Sequence, residues 1–254
     1  MIKVVLLGSG NVASYLFEAF NASKNLKIIQ VYNHSAESLS KFEKKVPVTT
    51  SFEKINEAEI YLISVKDDAI AEVARNLLRK GALVLHTSGA VPLDSLEGFA
   101  RRGVFYPLQT FSKNREVKNR NIPFCLEVSQ PDDMNLLKQL VTEIAGTPFE
   151  VSSEQRKKLH LAAVFVCNFV NHLYVIGEDI CRDNNLSFEI LQPLIMETAE
   201  KTVHSSPVEN QTGPAKRNDQ STIEAHLNLM ESKENKEIYQ LLTRAIQTTH
   251  GKKL

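Results

Sequence analysis

Two glycines and an alanine near the N-terminus have the spacing of a phosphate-binding turn. Gly8, Gly10 and Ala13 follow the apolar run Ile2–Leu7, and apolar residues then recur at helical spacing to Phe20. In such a strand, turn and helix, the first glycine makes the tight turn and the second admits a pyrophosphate to the backbone. The helix N-terminus adds free N–H groups and a partial positive charge. The spacing therefore predicts a dinucleotide site; a βα turn without a ligand is the alternative. The predicted contacts are Gly8, Ser9, Gly10, Asn11 and Val12.

The end of the second predicted strand bears on the choice of cofactor. Strand 26–32 is followed by Asn33, His34 and Ser35, and Lys41 comes one or two turns into the next helix. NAD-specific sites usually place a carboxylate here to hold the ribose hydroxyls. Because this chain offers donors and no carboxylate, the sequence favours NADP over NAD. Asn33 and Ser35 are also residue types that cap a following helix, and the two roles are compatible.

Two further predicted strands should end beside the cofactor. The carboxyl ends of strands line the ligand crevice in sheets of this kind. The buried strand 60–65 brings Ser64, Val65 and Lys66 to that edge, and strand 82–85 is followed by a glycine-containing polar loop that includes Ser88. We expect this loop to lie at the nicotinamide or substrate end. Asp67 and Asp68 are interpreted as caps of a helix over 69–79.

Strands and helices alternate as far as residue 151. Further predicted elements are an edge strand at 46–49, a strand at 123–128, a helix at 132–145 and a closing segment at 147–151. The alternation predicts an α/β fold, with a doubly wound and mostly parallel sheet, as a cofactor-binding domain over 1–151.

From Ser152 onward the pattern is helical. Ser152 and Gln155 have the spacing of a capping box, and a long helix is predicted over 154–184. Three more helices are predicted at 188–203, 219–231 and 235–249, with a polar loop at 205–217. This gives an all-α domain over 152–254, for substrate binding and dimerisation. The last helix is expected to bury Ile238, Leu241, Leu242, Ala245 and Ile246 on one face.

Composition narrows the functional classes. The 254 residues carry 30 basic and 30 acidic side chains, so the net charge of zero argues against nucleic-acid binding and a polybasic membrane anchor. Three scattered cysteines fit a reducing compartment, and the chain begins with a strand, so we expect a cytoplasmic protein without a signal peptide.

The apolar stretch 161–176 is interrupted by polar residues and is expected to be a buried core helix rather than a membrane span. After Ser152 the chain has more apolar helix faces than about 100 residues can bury by themselves. This favours a homodimer through the helical domain.

Polar side chains on the long helix are candidates for chemistry. At 100° per residue, His160 and Asn171 lie about 20° apart, and Asn168 lies about 80° from His160. One interpretation places this stripe against the nicotinamide, with His160 and Asn168 as catalytic residues, because imidazole changes charge near physiological pH. The other is a set of satisfied core side chains that hydrogen-bond neighbouring helices.

A second candidate lies in the Gly–Pro loop of the helical half. Arg217 could clamp a substrate carboxylate through two hydrogen bonds, or it could pair with Asp219 and fix the loop. The histidines and cysteines show no metal-ligand spacing.

Together these motifs resemble a known family. They are 8–13 (G-S-G-N-V-A), 33–35, 86–89, 106–110 (Y-P-L-Q-T), 160–163 with Asn168, and 212–214 with Arg217, Asp219 and His226. The chain resembles Rossmann proteins whose C-terminal helical domain is catalogued as a domain of unknown function, similar to pyrroline-5-carboxylate reductase, ketopantoate reductase and the deazaflavin-dependent NADP reductases. The resemblance implies an NADP-linked oxidoreductase. Enzymes of the wider superfamily carry a lysine four residues before an asparagine on the corresponding helix. Here Val164 and Cys167 stand four residues before Asn168 and Asn171, so the general acid is unassigned.

Two functional hypotheses follow. The first is an NADP-dependent reductase of a small carbonyl or imine, such as a 2-oxo acid like ketopantoate or a cyclic imino acid. The second is an NADP-binding protein that senses the cofactor or holds a partner without a redox step.

Overall fold

An eight-stranded sheet forms the centre of the first 150 residues of the computed structural model, which describes residues 1–78, 81–112 and 121–251. The strands are β1 (Ile2–Leu7), β2 (Leu26–Tyr32), β3 (Val48–Thr49), β4 (Ile60–Ile63), β5 (Leu83–His86), β6 (Arg102–Pro107), β7 (Pro123–Val128) and β8 (Thr147–Glu150). Their order across the sheet is β3-β2-β1-β4-β5-β6-β7-β8. Among the described strands, β6 and β7 pair antiparallel and the other neighbours pair parallel. The predicted doubly wound, mostly parallel sheet is confirmed.

Helices cover both faces of this sheet. They are α1 (Asn11–Ala22), α2 (Ser40–Glu43), α3 (Ile70–Asn76) and α4 (Asp133–Glu143). Because side chains alternate along a strand, Val4 and Leu6 pack in one core with α1 and α4, whereas Val5 and Leu7 pack in the other with α3. Val4, Val5, Leu6 and Leu7 are therefore all buried, as a strand covered on both faces requires.

The predicted bounds differ from the structure mainly around α3. Strand β4 ends at Ile63, two residues earlier than predicted, and a short 3₁₀ turn (Asp67–Ala69) precedes α3. Lys66 is the N-cap of that turn, so the predicted capping hydrogen bonds of Asp67 and Asp68 are not observed. Both aspartates nevertheless lie in the first turn, where the helix dipole favours acidic side chains. The predicted end of this helix at Arg79 lies outside the described residues.

The remainder of the chain is helical, as predicted. The elements are α5 (Ser153–Ala163), a π-helical segment (Val164–Phe169), α6 (Val170–Asp183), α7 (Gln192–His204), α8 (Pro207–Asn210), α9 (Gln220–Leu229) and α10 (Lys233–His250). The capping box at the start of α5 is confirmed, because Ser152 accepts from the backbone of Gln155 and Gln155 reaches back to Ser152. Between 152 and 251 the structure describes no strand. Helix α8, inside the predicted polar loop, was not predicted.

The chain divides into two compact units, Met1–Asn168 and Phe169–Leu254. The division falls within the π-helical segment, so α5 belongs to the same unit as the sheet. The assignment of residues 1–151 to a cofactor-binding domain and of residues 152–254 to a helical domain remains a prediction.

Much of the apolar surface of the helical half is exposed in the single chain. Leu161 and Phe165 are each 59% exposed and Val166 is 68% exposed, so the predicted buried core helix is not buried here. The predicted face of α10 is not buried either, and Leu241 is 60% exposed. By length and composition, the continuous helix Ser153–Asp183 could cross a membrane, with a mean hydropathy of 1.6 over its most apolar window.

Candidate cofactor and substrate cleft

A cleft of about 840 Å³ lies along the carboxyl ends of β1, β4 and β5, within the first unit. Its volume is at the large end of the range for small-molecule sites. The lining residues are Gly8, Ser9, Gly10, Asn11, Val12, Tyr32, Asn33, His34, Ser38, Phe52, Ser64, Val65, Lys66, Asp67, Ala69, Glu72, Val73, Thr87, Ser88, Gly89, Tyr106, Gln109, Phe111 and His160. Strand order reverses beside β1, where ligands bind in sheets of this type.

The glycine loop after β1 has the geometry that a phosphate requires. Gly8 has a φ of +126°, and a Cβ there would lie 1.9 Å from the carbonyl oxygen of Ser64. A Cβ at Gly10 would meet no atom within 4 Å, so the backbone is open on that side. Gly10 is the N-cap of α1, without a side-chain capping bond, and the first turn contains no acidic residue. The positive end of α1 is therefore free to attract an anion.

Donors collect where β2 ends. Asn33, His34 and Ser38 line the cleft, and Asn33 is 7% exposed. The Asn33 amide donates to the carbonyl of Ser35 at 3.4 Å, which shapes the turn. The next 3₁₀ turn is preceded by Ala36, without a side-chain cap, so the capping role considered for Asn33 and Ser35 is not observed. Ser35 itself is not among the lining residues.

Lys41 lies against the glycine loop. Its Nζ is 2.6 Å from the carbonyl of Ser9 and 2.6 Å from Oγ of Ser14. The side chain therefore brings a positive charge to the loop that approaches the phosphates.

An apolar wall lies at the end of the cleft where β2 ends. The rings of Tyr32 and Phe52 pack with centroids 4.3 Å apart and their planes tilted by 34°, and Ala69 and Val73 continue the lining. Such a surface suits a flat heterocyclic base.

The ends of β4 and β5 meet on the cleft, as predicted. Ser64, Val65, Lys66 and Ser88 all line it. Thr87 Oγ1 donates to Ser64 Oγ at 3.2 Å and thereby joins the two strand ends. Ser88 Oγ accepts from the backbone N–H groups of the two residues after Gly89, so this hydroxyl holds the loop in shape.

At the other end of the cleft, Tyr106 and His160 form a hydrogen-bonded pair. The Tyr106 hydroxyl lies 3.0 Å from Nδ1 of His160, and the two rings meet edge to face. Burial raises the pKa of Tyr106 to about 12, so its hydroxyl keeps its proton at neutral pH. Gly89 faces both rings: a Cβ there would lie 2.7 Å from Nδ1 of His160 and 2.7 Å from Cζ of Tyr106. Only glycine leaves room for this pair as it stands.

A buried ion pair fixes the helix that carries His160. Arg156, one turn earlier on α5, is fully buried and donates to Glu127 at 2.5 Å and to the carbonyl of Val91 at 2.6 Å. Ser153 also donates to Glu127, at 2.7 Å. These bonds tie α5 to β7 and to the loop after β5, and the position of His160 follows from them.

The other two predicted catalytic residues are not among the residues that line the cleft. Asn168 is exposed, in the π-helical segment, and is not among the lining residues. The count of 100° per residue fails there, because a π-helix bonds i to i+5 and shifts the later side chains around the axis.

Arg217 is exposed in the loop before α9, in the second unit. Within the described residues its side chain makes no ion pair, so a direct Arg217–Asp219 bridge is not observed. The pKa of Asp219 is lowered mainly by hydrogen bonds from Thr222, and the charge of Arg217 makes a smaller contribution. Asp219 is instead the N-cap of α9, where it accepts from the backbone and side chain of Thr222.

Several cleft residues were missed by sequence reasoning. Tyr106 belongs to one of the motifs that carry the family resemblance, but its contact with His160 spans 54 positions and leaves no local pattern. Phe52, Glu72 and Val73 come from segments without a motif. The strand-end rule could have flagged Tyr106, which lies one residue before the end of β6.

Fold and cleft together define a Rossmann-type protein joined to a helical region. The family model "Rossmann-like domain" matches residues 1–111, and the model "Domain of unknown function (DUF2520)" matches residues 122–246. The Bacteroides fragilis protein BF3122, described as a "putative NADP oxidoreductase", is 39% identical over 97% of this chain and 98% of its own, with a TM-score of 0.90. The chain therefore belongs to the family that joins a Rossmann-like domain to DUF2520.

More distant structures share the fold. Protein TM1727 from Thermotoga maritima is 21% identical, covering 98% of both chains, with a TM-score of 0.72. The 1-pyrroline-5-carboxylate reductase of Streptococcus pyogenes is 15% identical, covering 99% of this chain and 97% of its own, with a TM-score of 0.64. No curated protein matches the sequence.

Proposed function

We propose that the protein is an NADP-dependent reductase of a small carbonyl or imine compound. The observation that carries this proposal is one continuous cleft with an open helix N-terminus at one end and a Tyr106–His160 pair at the other. A phosphate-binding loop alone would serve a sensor equally well. A proton-exchanging pair at the far end is what a reductase needs and a sensor does not. The 39% identical Bacteroides protein, described as a "putative NADP oxidoreductase", supports the same conclusion.

The cleft residues fit the cofactor. Gly8, Gly10 and the first turn of α1 would hold the pyrophosphate, and Lys41 adds a cation beside them. Asn33, His34 and Ser38 would bind the 2′-phosphate, and the Tyr32–Phe52 wall would receive the adenine. When bound, the reduced nicotinamide supplies a hydride to the substrate. The protein then has to orient the substrate and deliver a proton.

We also propose that the protein is a homodimer through its helical half. Large apolar side chains on α5, α6, α7 and α10 are exposed in the single chain. A membrane is the less favourable cover for the long helix, because Asn168, Asn171 and His172 interrupt its apolar stretch and polar side chains are costly in lipid. A second copy can hydrogen-bond these side chains while it buries the apolar ones.

The test is turnover in the presence of NADPH with a panel of 2-oxo acids, ketones and cyclic imines. Loss of the nicotinamide absorbance band with at least one compound is expected. NADPH binding without turnover of any compound would replace the reductase with the sensor. Failure to bind NADPH at all would refute both.

A further inference from the structure

We propose that Tyr106 donates the proton that completes the reduction, that His160 replaces that proton, and that the substrate is therefore a carbonyl compound rather than an imine. This inference rests on the proposed function and assigns the general acid, which the helix sequence leaves open.

The first argument is position. Tyr106 and His160 lie at the end of the cleft formed by Thr87, Ser88 and Gly89, which is opposite the glycine loop and the Tyr32–Phe52 wall. Both side chains line the cleft, and both are only partly buried. Tyr106 can therefore face a bound substrate while it contacts His160, and His160 can exchange protons with water.

The second argument is the direction of the hydrogen bond. Nδ1 of His160 lies 3.0 Å from the tyrosine oxygen, so an imidazolium can donate to that oxygen while the phenolic proton points into the cleft. In the reduction, the hydride bonds to the carbonyl carbon and the π electrons of the C=O bond move to oxygen. That oxygen takes the phenolic proton, and the phenolate takes the Nδ1 proton. Water reprotonates His160, so atoms and charge balance.

The third argument is the substrate. Reduction of a carbonyl creates an alkoxide, which must receive a proton in or after the transition state. A cyclic imine that binds as its iminium ion already carries its proton, and its product is a neutral amine. A built-in phenol and imidazole relay is therefore matched to oxygen rather than nitrogen.

The surroundings keep the phenol neutral and available. The titratable and charged groups that act on Tyr106 are Cys125 on β7, Asp67 after β4, and Arg156 and Cys167 on the long helix. Desolvation is the main cause of its raised pKa, followed by Cys125, Asp67 and Cys167, whereas Arg156 opposes the rise. The phenol thus remains a donor at neutral pH and needs His160 to regain its proton quickly.

The experiment begins with Tyr106→Phe, which keeps the ring and removes the hydroxyl. The chain offers a matched control, because Tyr239 contacts Nδ1 of His226 at 2.9 Å with the same edge-to-face geometry, in the second unit. With a carbonyl substrate from the panel, Tyr106→Phe should lower kcat by about 100-fold or more. KM and the Kd for NADPH should change by less than about threefold. Tyr239→Phe should change none of these values.

A second pair of variants separates proton supply from structure. His160→Asn keeps a hydrogen-bonding group near the tyrosine oxygen but cannot supply a proton. Any pH dependence of the wild-type kcat that comes from this proton supply should be lost in His160→Asn, because the group that passes a proton to Tyr106 is removed. Gly89→Ala should lower kcat without changing the pH of half-maximal activity, because its Cβ displaces the pair but leaves both groups present.

A spectroscopic measurement requires neither cofactor nor substrate. In ¹⁵N NMR spectra, the Nδ1 resonance of His160 should move in Tyr106→Phe and stay unchanged in Tyr239→Phe, and the reverse should hold for His226. An unmoved His160 resonance would mean that the pair does not exist in solution.

The outcomes are distinguishable. If the wild type turns over a carbonyl compound and Tyr106→Phe retains its kcat, this inference is overturned and the proposed function stands. Reduction of imines alone would also overturn the inference and leave the proposed function standing. If the wild type binds NADPH and reduces nothing, the proposed function fails and this inference fails with it.

Discussion

At the residue scale, two histidines of the first unit differ because of their surroundings. His86 is completely buried at the end of β5, and its Nδ1 accepts from the backbone N–H of Ser88. Burial, followed by the charge of Arg156, lowers the pKa of His86 from 6.5 to about 3. His160 is partly exposed, on the cleft. His86 therefore stays neutral and supports the loop, whereas His160 can meet solvent and ligand.

The buried neutral His86 predicts that acid destabilises the protein. Between about pH 3 and pH 6.5 the unfolded chain binds a proton at this site and the folded chain does not, so stability falls as pH falls through 6.5. Lowering the pH from 7 to 5 should cost about 2 kcal/mol from this group alone. Urea unfolding at both pH values should show a smaller difference in His86→Asn than in the wild type. An equal difference in both proteins would contradict the assignment.

The hydrogen-bond donors after β2 predict that a carboxylate introduced there changes the preference between NADPH and NADH. Each charge-assisted bond to a 2′-phosphate should contribute about 1.5–3 kcal/mol, or roughly a 10- to 150-fold preference for NADPH over NADH. Asn33→Asp places a negative charge on the cleft and offers acceptors to a ribose diol. It should weaken NADPH binding sharply and leave NADH binding unchanged or improved, as measured by fluorescence titration. Asn56→Asp adds the same charge outside the lining residues and should produce no swing.

At the element scale, one buried arginine determines where α5 lies. Arg156 has lost all contact with water and relies on Glu127, Val91 and Ser153 for its hydrogen bonds. A buried guanidinium without a carboxylate partner is expensive. The position of His160 therefore depends on an ion pair whose two residues do not line the cleft.

Glu127→Gln should lower the free energy of unfolding by about 3 kcal/mol, because it leaves the buried Arg156 without its counter-charge. It should also reduce turnover through misplacement of His160. Glu154→Gln is the matched control, since its partner Lys158 lies on the same helix in an exposed pair. That variant should leave unfolding nearly unchanged. Similar losses in both variants would show that the burial of Arg156 is unimportant.

Most of the strands and helices could be predicted from the sequence, but the contacts between residues of different elements could not. Strands β1, β2 and β7 each contain a run of buried, mostly apolar residues, and these runs locate the strands in the sequence. The capping box of α5 is a local signal, and it was also found. No residue pattern marks the π-helical segment, so a count of 100° per residue could not place Asn168, and its catalytic role remains a prediction. Tyr106 and His160 meet only because β6 and α5 are brought together by the fold.

At the scale of the whole molecule, the two units differ in how well they bury their apolar residues. The sheet has a continuous core on each face. In the second unit, Cys181, Ala215 and Ile223 are the buried apolar residues among those described. A unit that is so open needs another surface to cover it.

The proposed dimer can be tested by light scattering at micromolar concentration, where twice the mass of one chain is expected. Leu241→Lys places a charge on the exposed face of α10 and should shift the protein toward the monomer. Leu78→Lys is the matched control, because Leu78 is also an exposed leucine but lies in the first unit. A monomeric wild type, or equal effects of the two variants, would contradict a dimer through the helical half.

The exposed apolar side chains of the second unit also predict how stability and activity depend on protein concentration. If its helices are covered only by association, the folded state is linked to concentration by mass action. The melting temperature should then rise as the protein is concentrated. Assays run at nanomolar enzyme would report on dissociated chains whose helical half is unsupported. A specific activity that declines with dilution and is restored by concentrating the sample would follow directly from these uncovered helices.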